Sequence, residues 1–147
     1  MTFGVAVKAY IFKDNKLLVI YKTGAEAQGN LNTEDRRDIP GGRVDFSEQP
    51  ETALRREVCE EVGLKIDVLQ PFMVWSFVKN ELQLVGINYL CLWHSGEVVL
   101  SVEHEKHEWL TYEDILRRNW GEEQYHKAFE HFVEYKRNEE ESKKEFL

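Results

Sequence analysis

Residues 3–12, FGVAVKAYIF, place Val5, Val7, Ala9 and Ile11 on one face at a period of two. That period belongs to a strand, and it sets the terms for the rest of the chain. Asp14-Asn15 supplies a turn before KLLVIYK at 16–22, so the chain opens on a hairpin. FMVWSFVK at 72–79 and LQLVGINYLCLWH at 82–94 flank Asn80-Glu81 as a second hairpin, and Ser95-Gly96 turns the chain into a further strand, VVLS, at 98–101. The polar, Gly/Asn-rich residues 24–38 predict a long loop. A first helix is predicted over 50–62, with Gln49 a weak cap, Pro50 suited to the first helical position and Gly63 ending it. A short second helix starts near Thr111 and holds Asp114, Ile115 and Leu116. A third starts at about 122, aligns Tyr125, Ala128, Phe129 and Phe132 in one apolar stripe, and is expected to fray after about 139, where the sequence is charged on all sides. Hairpins interrupted by helices predict an α+β fold with helices packed on a mixed sheet, and the 147 residues suit a single domain.

Nineteen basic residues against twenty-seven acidic ones leave a formal net charge of −8. No basic stripe offsets it, so no nucleic-acid partner is expected. No apolar run approaches the roughly 20 residues that cross a bilayer, so no membrane partner is expected either. The N-terminus has no export pattern, and Cys59 and Cys91 each fall in a periodic apolar segment. Both are read as reduced core thiols of a cytoplasmic protein, monomer or homodimer.

The acid is concentrated. Residues 48–61 hold five glutamates against Arg55 and Arg56, a net of −3. On a helical wheel counted from Leu54, Leu54, Val58 and Val62 fall at about 0°, 40° and 80° and form the buried stripe. Glu57, Glu60 and Glu61 fan along one edge of it, close enough to converge. Like charges so placed destabilise a helix unless something positive joins them, and carboxylate oxygens are what hard divalent cations prefer. The competing reading is a solvated acidic face partnered by the two arginines. Ahead of the helix, Ile39-Pro40-Gly41-Gly42 places two glycines where backbone can approach a ligand closely, and the Gly42 carbonyl is a further oxygen donor.

Gly42, five residues, Glu48, seven residues and then Arg56-Glu57-Val58-Cys59-Glu60-Glu61-Val62-Gly63-Leu64 resembles the Nudix box of the Nudix hydrolase superfamily, with every fixed position filled. The flanking Ile39-Pro40-Gly41 and Glu103-His104 … Trp109 are similar to the family too. Arg37 departs from it, standing where many members carry an aromatic residue. The resemblance implies an α/β/α sandwich with the mixed sheet between helices. It implies hydrolysis of a nucleoside diphosphate linked to another moiety, with Mg²⁺ or Mn²⁺ held by Glu57, Glu60 and Glu61 and joined by the Gly42 carbonyl. Glu48 then binds metal through water or pairs with Arg56, and Arg56 orients the carboxylates by charge-assisted hydrogen bonds.

The general base is left among Glu57, Glu60, Glu61 and the loop residue Glu103. His104 and His107 stand three apart, unlike the four of the zincin pattern, so no zinc site is expected. Arg36, Arg37 and Lys22 are candidate phosphate or sugar contacts, with surface charge as the simpler reading, and Gly41 is a candidate backbone contact. Tyr10, Trp75, Phe77, Tyr89 and Trp93 are candidates for a base platform or for core. The substrate expected is a small-molecule nucleotide, a nucleoside triphosphate or an oxidised form of one, as in MutT-like members. ADP-ribose, a dinucleoside polyphosphate, or a non-catalytic nucleotide-binding module are the alternatives.

Overall fold

The computed structural model describes residues 1–27 and 32–145; part of the polar loop expected over 24–38 therefore lies outside the described residues. Strand β1 (Thr2–Lys13) and β2 (Lys16–Lys22) meet at the expected turn, where Asp14 and Asn15 both take positive φ, 51° and 64°. Such a pair of angles suits the twist of a tight hairpin, and Asx residues tolerate it. The two strands then diverge. They pair only next to the turn, at Phe12–Leu17 and Lys13–Lys16. Into the fork runs the segment from β3 (Arg37–Asp38), paired with β2, to β4 (Gly41–Arg43), paired with β1. The fork brings Pro40-Gly41-Gly42 into the middle of the sheet. Gly41 is required there, because a Cβ at this position would lie 2.0 Å from the Val7 carbonyl oxygen.

The second hairpin is β5 (Lys65–Lys79) and β6 (Leu82–Ser95), and β6 pairs in parallel with β1 from Thr2–Leu82 to Phe12–Leu92. β5 begins at Lys65, well before the expected 72. Pro71 hides that extension in the sequence; it is accommodated because β5 is an edge strand with register shifts on either side of it. The expected strand over 98–101 does not form. Its backbone donors go to the C-terminus of helix α1 (Pro50–Val62) instead: the Val99 N–H donates to the Val62 carbonyl at 2.9 Å and the Ser101 N–H to the Glu61 carbonyl at 3.0 Å. Carbonyls at a helix end have no partner within the helix, so an extended segment can satisfy them in place of a sheet. The strand that does form is β7 (His104–Leu110), on the free side of β2. Its HEKHEWL sequence shows no apolar alternation, as suits a charged edge strand.

The period-two pattern of β1 and β2 divides the core in two. Val7, Ala9, Ile11, Leu18 and Ile20 pack under Leu54, Val58 and Val62 of α1. Tyr10, Phe12, Leu17, Val19 and Tyr21 pack on the opposite face against Ile115 of α2 (Tyr112–Arg117) and Tyr125, Ala128, Phe129 and Phe132 of α3 (Glu123–Glu145). Helices thus cover both faces of a seven-stranded mixed sheet, the sandwich expected. Thr111 and Asp114 cap α2 reciprocally. α3 stays helical to Glu145, past the 139 at which its charge predicts fraying. Of the two expected core thiols, Cys91 is buried and Cys59 is exposed. Cys59 falls one position outside the stripe that Val58 and Val62 occupy. No helix among the described residues is long and apolar enough to cross a membrane.

Candidate active site

Helix α1 begins and ends where its sequence punctuation places it, with Pro50 in the first turn and Gly63 in the left-handed conformation at φ 69°. Its phase therefore holds, and the carboxylate edge faces the fork that carries Gly41 and Gly42. Glu57 lies directly over Gly42: a Cβ at Gly42 would come within 2.5 Å of the Glu57 carboxyl carbon. Glycine is needed at 42 for close approach, as at 41.

Arg56 gathers the acids around it. Its Nε and Nη2 donate to the two oxygens of Glu48 at 2.9 and 3.0 Å, Nη1 donates to Glu57 at 2.9 Å and to Glu60 at 3.5 Å, and Nη2 also reaches the Arg43 carbonyl at 3.1 Å. Glu48 makes the pairing with Arg56 that its sequence position allows. Glu48 also accepts from the Asp45 N–H, and the hydrogen bonds from Arg56 and then Asp45 hold its carboxyl down at about 2. Burial raises the Glu57 carboxyl, with Arg56 opposing. Glu60 is the outermost of the three, its side chain 58% exposed.

Glu61 is different. It is 9% exposed, and burial pushes its carboxyl up to about 7, against the pull of Lys8 and in the company of Asp38. The ladder explains what faces it. Val5–Val44 and Ala9–Pro40 are hydrogen-bonded pairs, so by antiparallel alternation Val7–Gly42 is one as well and Lys8–Gly41 is not. The Gly42 carbonyl is therefore already engaged with Val7. The backbone of Gly41 turns away from β1, and its N–H donates to Glu61 at 3.5 Å.

Two residues beside Glu61 were not singled out as site residues from the sequence. Asp38, Glu61 and His104 offer ligand atoms all within 4.8 Å of one another. Asp38 takes the Lys8 ammonium at 3.0 Å and His104 Nε2 at 3.1 Å; although burial opposes it, Lys8 and then His104 hold its carboxyl well below the usual range. Asp38 had a signal in the sequence, the acid ahead of Ile39-Pro40-Gly41-Gly42. His104 stands in the flanking Glu103-His104 likeness, but nothing local shows its pairing with Asp38, which lies 66 residues away. His107 takes no part in the group.

Glu103 sits in the turn entering β7, exposed, with its backbone bonded to Ser101 and Thr23. Arg36 pairs with Glu105 at 2.7 Å. Arg37 bonds Glu122 and the Glu34 carbonyl and lies over the Trp120 ring at 4.5 Å, so it ties the fork segment to the start of α3 and is not a free surface cation. Tyr10 and Trp75 line a cavity that begins at Asp38, while Tyr89 is core under α1 and Trp93 lies under Lys13.

This arrangement can hold a hard cation. Glu61 is a buried carboxylate with no direct ion pair among the described residues, Glu57 is pressed against a glycine, and the Gly41 backbone, turned away from β1, stands at Glu61. Ionised oxygens that are expensive to bury apart become favourable around a divalent ion.

The chain has relatives of known name. It is 28% identical over 91 residues to the nucleoside triphosphatase NudI of Escherichia fergusonii, a match covering 54% of this chain and 64% of that one. It is 32% identical over 82 residues to a MutT-like protein of Streptomyces ambofaciens, covering 55% of this chain and 51% of that one. The chain thus spans between half and two thirds of those relatives. The fold matches the crystal structure of a MutT protein from Methanosarcina mazei Go1 with a TM-score of 0.69 at 24% identity, over 91% of this chain and 95% of that one. A match to the NUDIX domain runs over residues 2–132, from the first strand through the apolar stripe of α3. The spacing that joins Gly42 to Leu64 in the sequence is thus part of a whole-domain likeness, and the chain belongs to the NUDIX domain family.

Proposed function

We propose that the protein is a metal-dependent pyrophosphohydrolase that cleaves a nucleoside triphosphate to the monophosphate and pyrophosphate. The observation that carries this reading is a buried carboxylate, Glu61, held at the Gly41 N–H on the same helix whose Glu57 carboxyl lies over Gly42, since an acid buried there is costly unless a cation joins it. The names of the sequence relatives, a nucleoside triphosphatase and a MutT-like protein, support the substrate class. In this reading Glu57, Glu60 and Glu61 hold Mg²⁺ or Mn²⁺, and the backbone oxygen beside them comes from Gly41 rather than from Gly42, whose carbonyl serves the ladder. When bound, such an ion offsets phosphate charge and makes a bound water more acidic. Arg56 keeps Glu57 and Glu48 in place. A carboxylate takes the proton from the attacking water, the water oxygen joins one phosphorus, and the bridging oxygen of the α–β anhydride leaves with the other.

A panel of nucleoside triphosphates, ADP-ribose and dinucleoside polyphosphates, incubated with Mg²⁺ or Mn²⁺ and scored for pyrophosphate and phosphate release, tests the reading. Pyrophosphate from a triphosphate is expected. Turnover of ADP-ribose more than tenfold faster would move the substrate, and binding without turnover of any compound would make the chain a nucleotide-binding module.

Glu103 supplies a sharper prediction about the base. We take the proton to go to a box glutamate, because Glu103 is exposed and no bond ties its side chain to Glu57, Glu60 or Glu61 among the described residues. Glu103→Gln is then expected to change kcat by less than about fivefold, whereas loss of a general base costs about 10²–10⁴-fold. A loss in that larger range with KM unchanged would give the role to Glu103.

A further inference from the structure

We propose that the cavity starting at Asp38 is a nucleobase site in which Asn88 selects bases with a ring carbonyl over bases with an exocyclic amine at the position it contacts; this rests on the reading of the chain as a nucleotide enzyme. The cavity, of about 280 Å³, is bounded by Tyr10, Asp38, Met73, Trp75, Asn88 and Tyr125. It is at the small end for ligand pockets, right for one flat ring system rather than a whole nucleotide. One wall, Asp38, is also a neighbour of Glu61, with ligand atoms within 4.8 Å. A base seated there leaves its phosphates on the side of the carboxylates.

The walls are fixed. The Trp75 indole lies flat on Gly86, where a Cβ would come within 2.0 Å of the ring, and it runs parallel to Phe77 with an interplanar angle of 7°. Gly86 is thus the residue that lets the indole lie against β6. Tyr10, on β1, brings a second aromatic ring to the cavity. Flat aromatic walls suit any base, because every base has a π face. They carry no preference among bases.

The preference comes from Asn88. It is 2% exposed, and its Oδ1 accepts a hydrogen bond from Trp75 Nε1 at 2.9 Å. An indole nitrogen is a donor only, so the oxygen of the amide must face it. The amide orientation is set by that chemistry. Nδ2 is then what Asn88 offers the cavity, two N–H donors with no protein partner among the described residues. A bound base displaces the water this donor meets in the open cavity, and a carbonyl on the base keeps the donor satisfied. An amine at the same place sets donor against donor. Uracil, thymine and guanine present a carbonyl where cytosine and adenine present an amine. A site built around a polar contact discriminates far better against the wrong hydrogen-bonding partner than an apolar pocket does against a wrong shape.

The experiment is calorimetric binding of UMP, CMP, GMP and AMP to the metal-free protein, alongside hydrolysis of the corresponding triphosphates with Mg²⁺. UMP is expected to bind about tenfold or more tighter than CMP, and GMP than AMP, the ratio one good hydrogen bond supports. Trp75→Phe keeps the ring and removes the N–H that orients the amide, so the amide can turn and the preference should fall to within about threefold. Asn88→Leu should abolish it as well. Near-ultraviolet circular dichroism of both variants checks that they are folded. Equal affinity for keto and amino bases, absence of monophosphate binding, or a keto preference that survives both substitutions overturns the proposal. Selective binding with no hydrolysis of any triphosphate would instead sink the hydrolase reading and leave the base site standing; hydrolysis without selectivity would do the reverse.

Discussion

Glu61→Gln is expected to abolish turnover and, at the same time, to make the metal-free protein more stable. The amide is the same size as the carboxyl and can still accept the Gly41 N–H bond. As a neutral and weaker ligand it cannot hold a hard cation, so kcat should fall by about 10³-fold or more, the equivalent of about 4 kcal/mol of lost transition-state stabilisation. Stability moves the other way. Burial lifts the Glu61 carboxyl from its ordinary 4.5 to about 7. A carboxyl that is harder to ionise in the folded state than in the unfolded one destabilises the fold progressively as pH rises from 4.5 through about 7, and fully above that. Gln has no such ionisation. Without metal, the variant should therefore melt higher than the wild type at pH 8, and the gap should close below pH 4.5. Added Mn²⁺ should raise the wild-type Tm and leave that of the variant in place, since an ion stabilises only the state that binds it. Full turnover in Glu61→Gln would reduce the carboxylate fan to a solvated helix edge. This opposition of stability and activity is what a charge kept for chemistry produces.

The parts of this site that could be read from the sequence are those set by local geometry. Helix α1 is punctuated by Pro50 and Gly63, so its limits and the relative directions of Glu57, Glu60 and Glu61 follow from 3.6-residue periodicity alone. The two hairpins follow from period two and from Asn-bearing turns. What periodicity does not convey is which pairs of strands stay together. β1 and β2 separate after two residue pairs, and that separation decides that Gly41 rather than Gly42 turns its backbone toward Glu61. VVLS has the composition of a strand, yet the segment serves the end of α1 because unpaired helix carbonyls compete for the same N–H groups. The Asp38–His104 pair is invisible for a related reason: its members come from β3 and β7, joined only through β2. Asn88 falls within a strand run rich in apolar residues, where a polar side chain looks incidental until Trp75 is found beside it.

Arg56→Lys is expected to weaken metal binding by about 10–100-fold while leaving the fold almost unchanged. One guanidinium meets Glu48 through two nitrogens, Glu57 and Glu60 through a third, and the Arg43 carbonyl as well. A lysine ammonium keeps the charge but is a single point, and it cannot hold three carboxylates at fixed angles. Glu57 is the residue that suffers. Arg56 opposes the burial that raises its carboxyl, and the same contact holds that carboxyl over Gly42. With the fork gone, Glu57 is free to swing away from Gly42, and each ion bound must first bring it back. Loss of a residue that orients a metal ligand typically costs 10–100-fold in affinity or activity, which sets the range. Stability should change little, because the Arg56 side chain is 30% exposed and ion pairs of that kind contribute about 0–1 kcal/mol. Mn²⁺ titration followed by calorimetry, with Tm measured on the same samples, separates the two effects. A Kd within twofold of the wild type would mean that α1 alone positions Glu57, and that Arg56 only neutralises the acids around it.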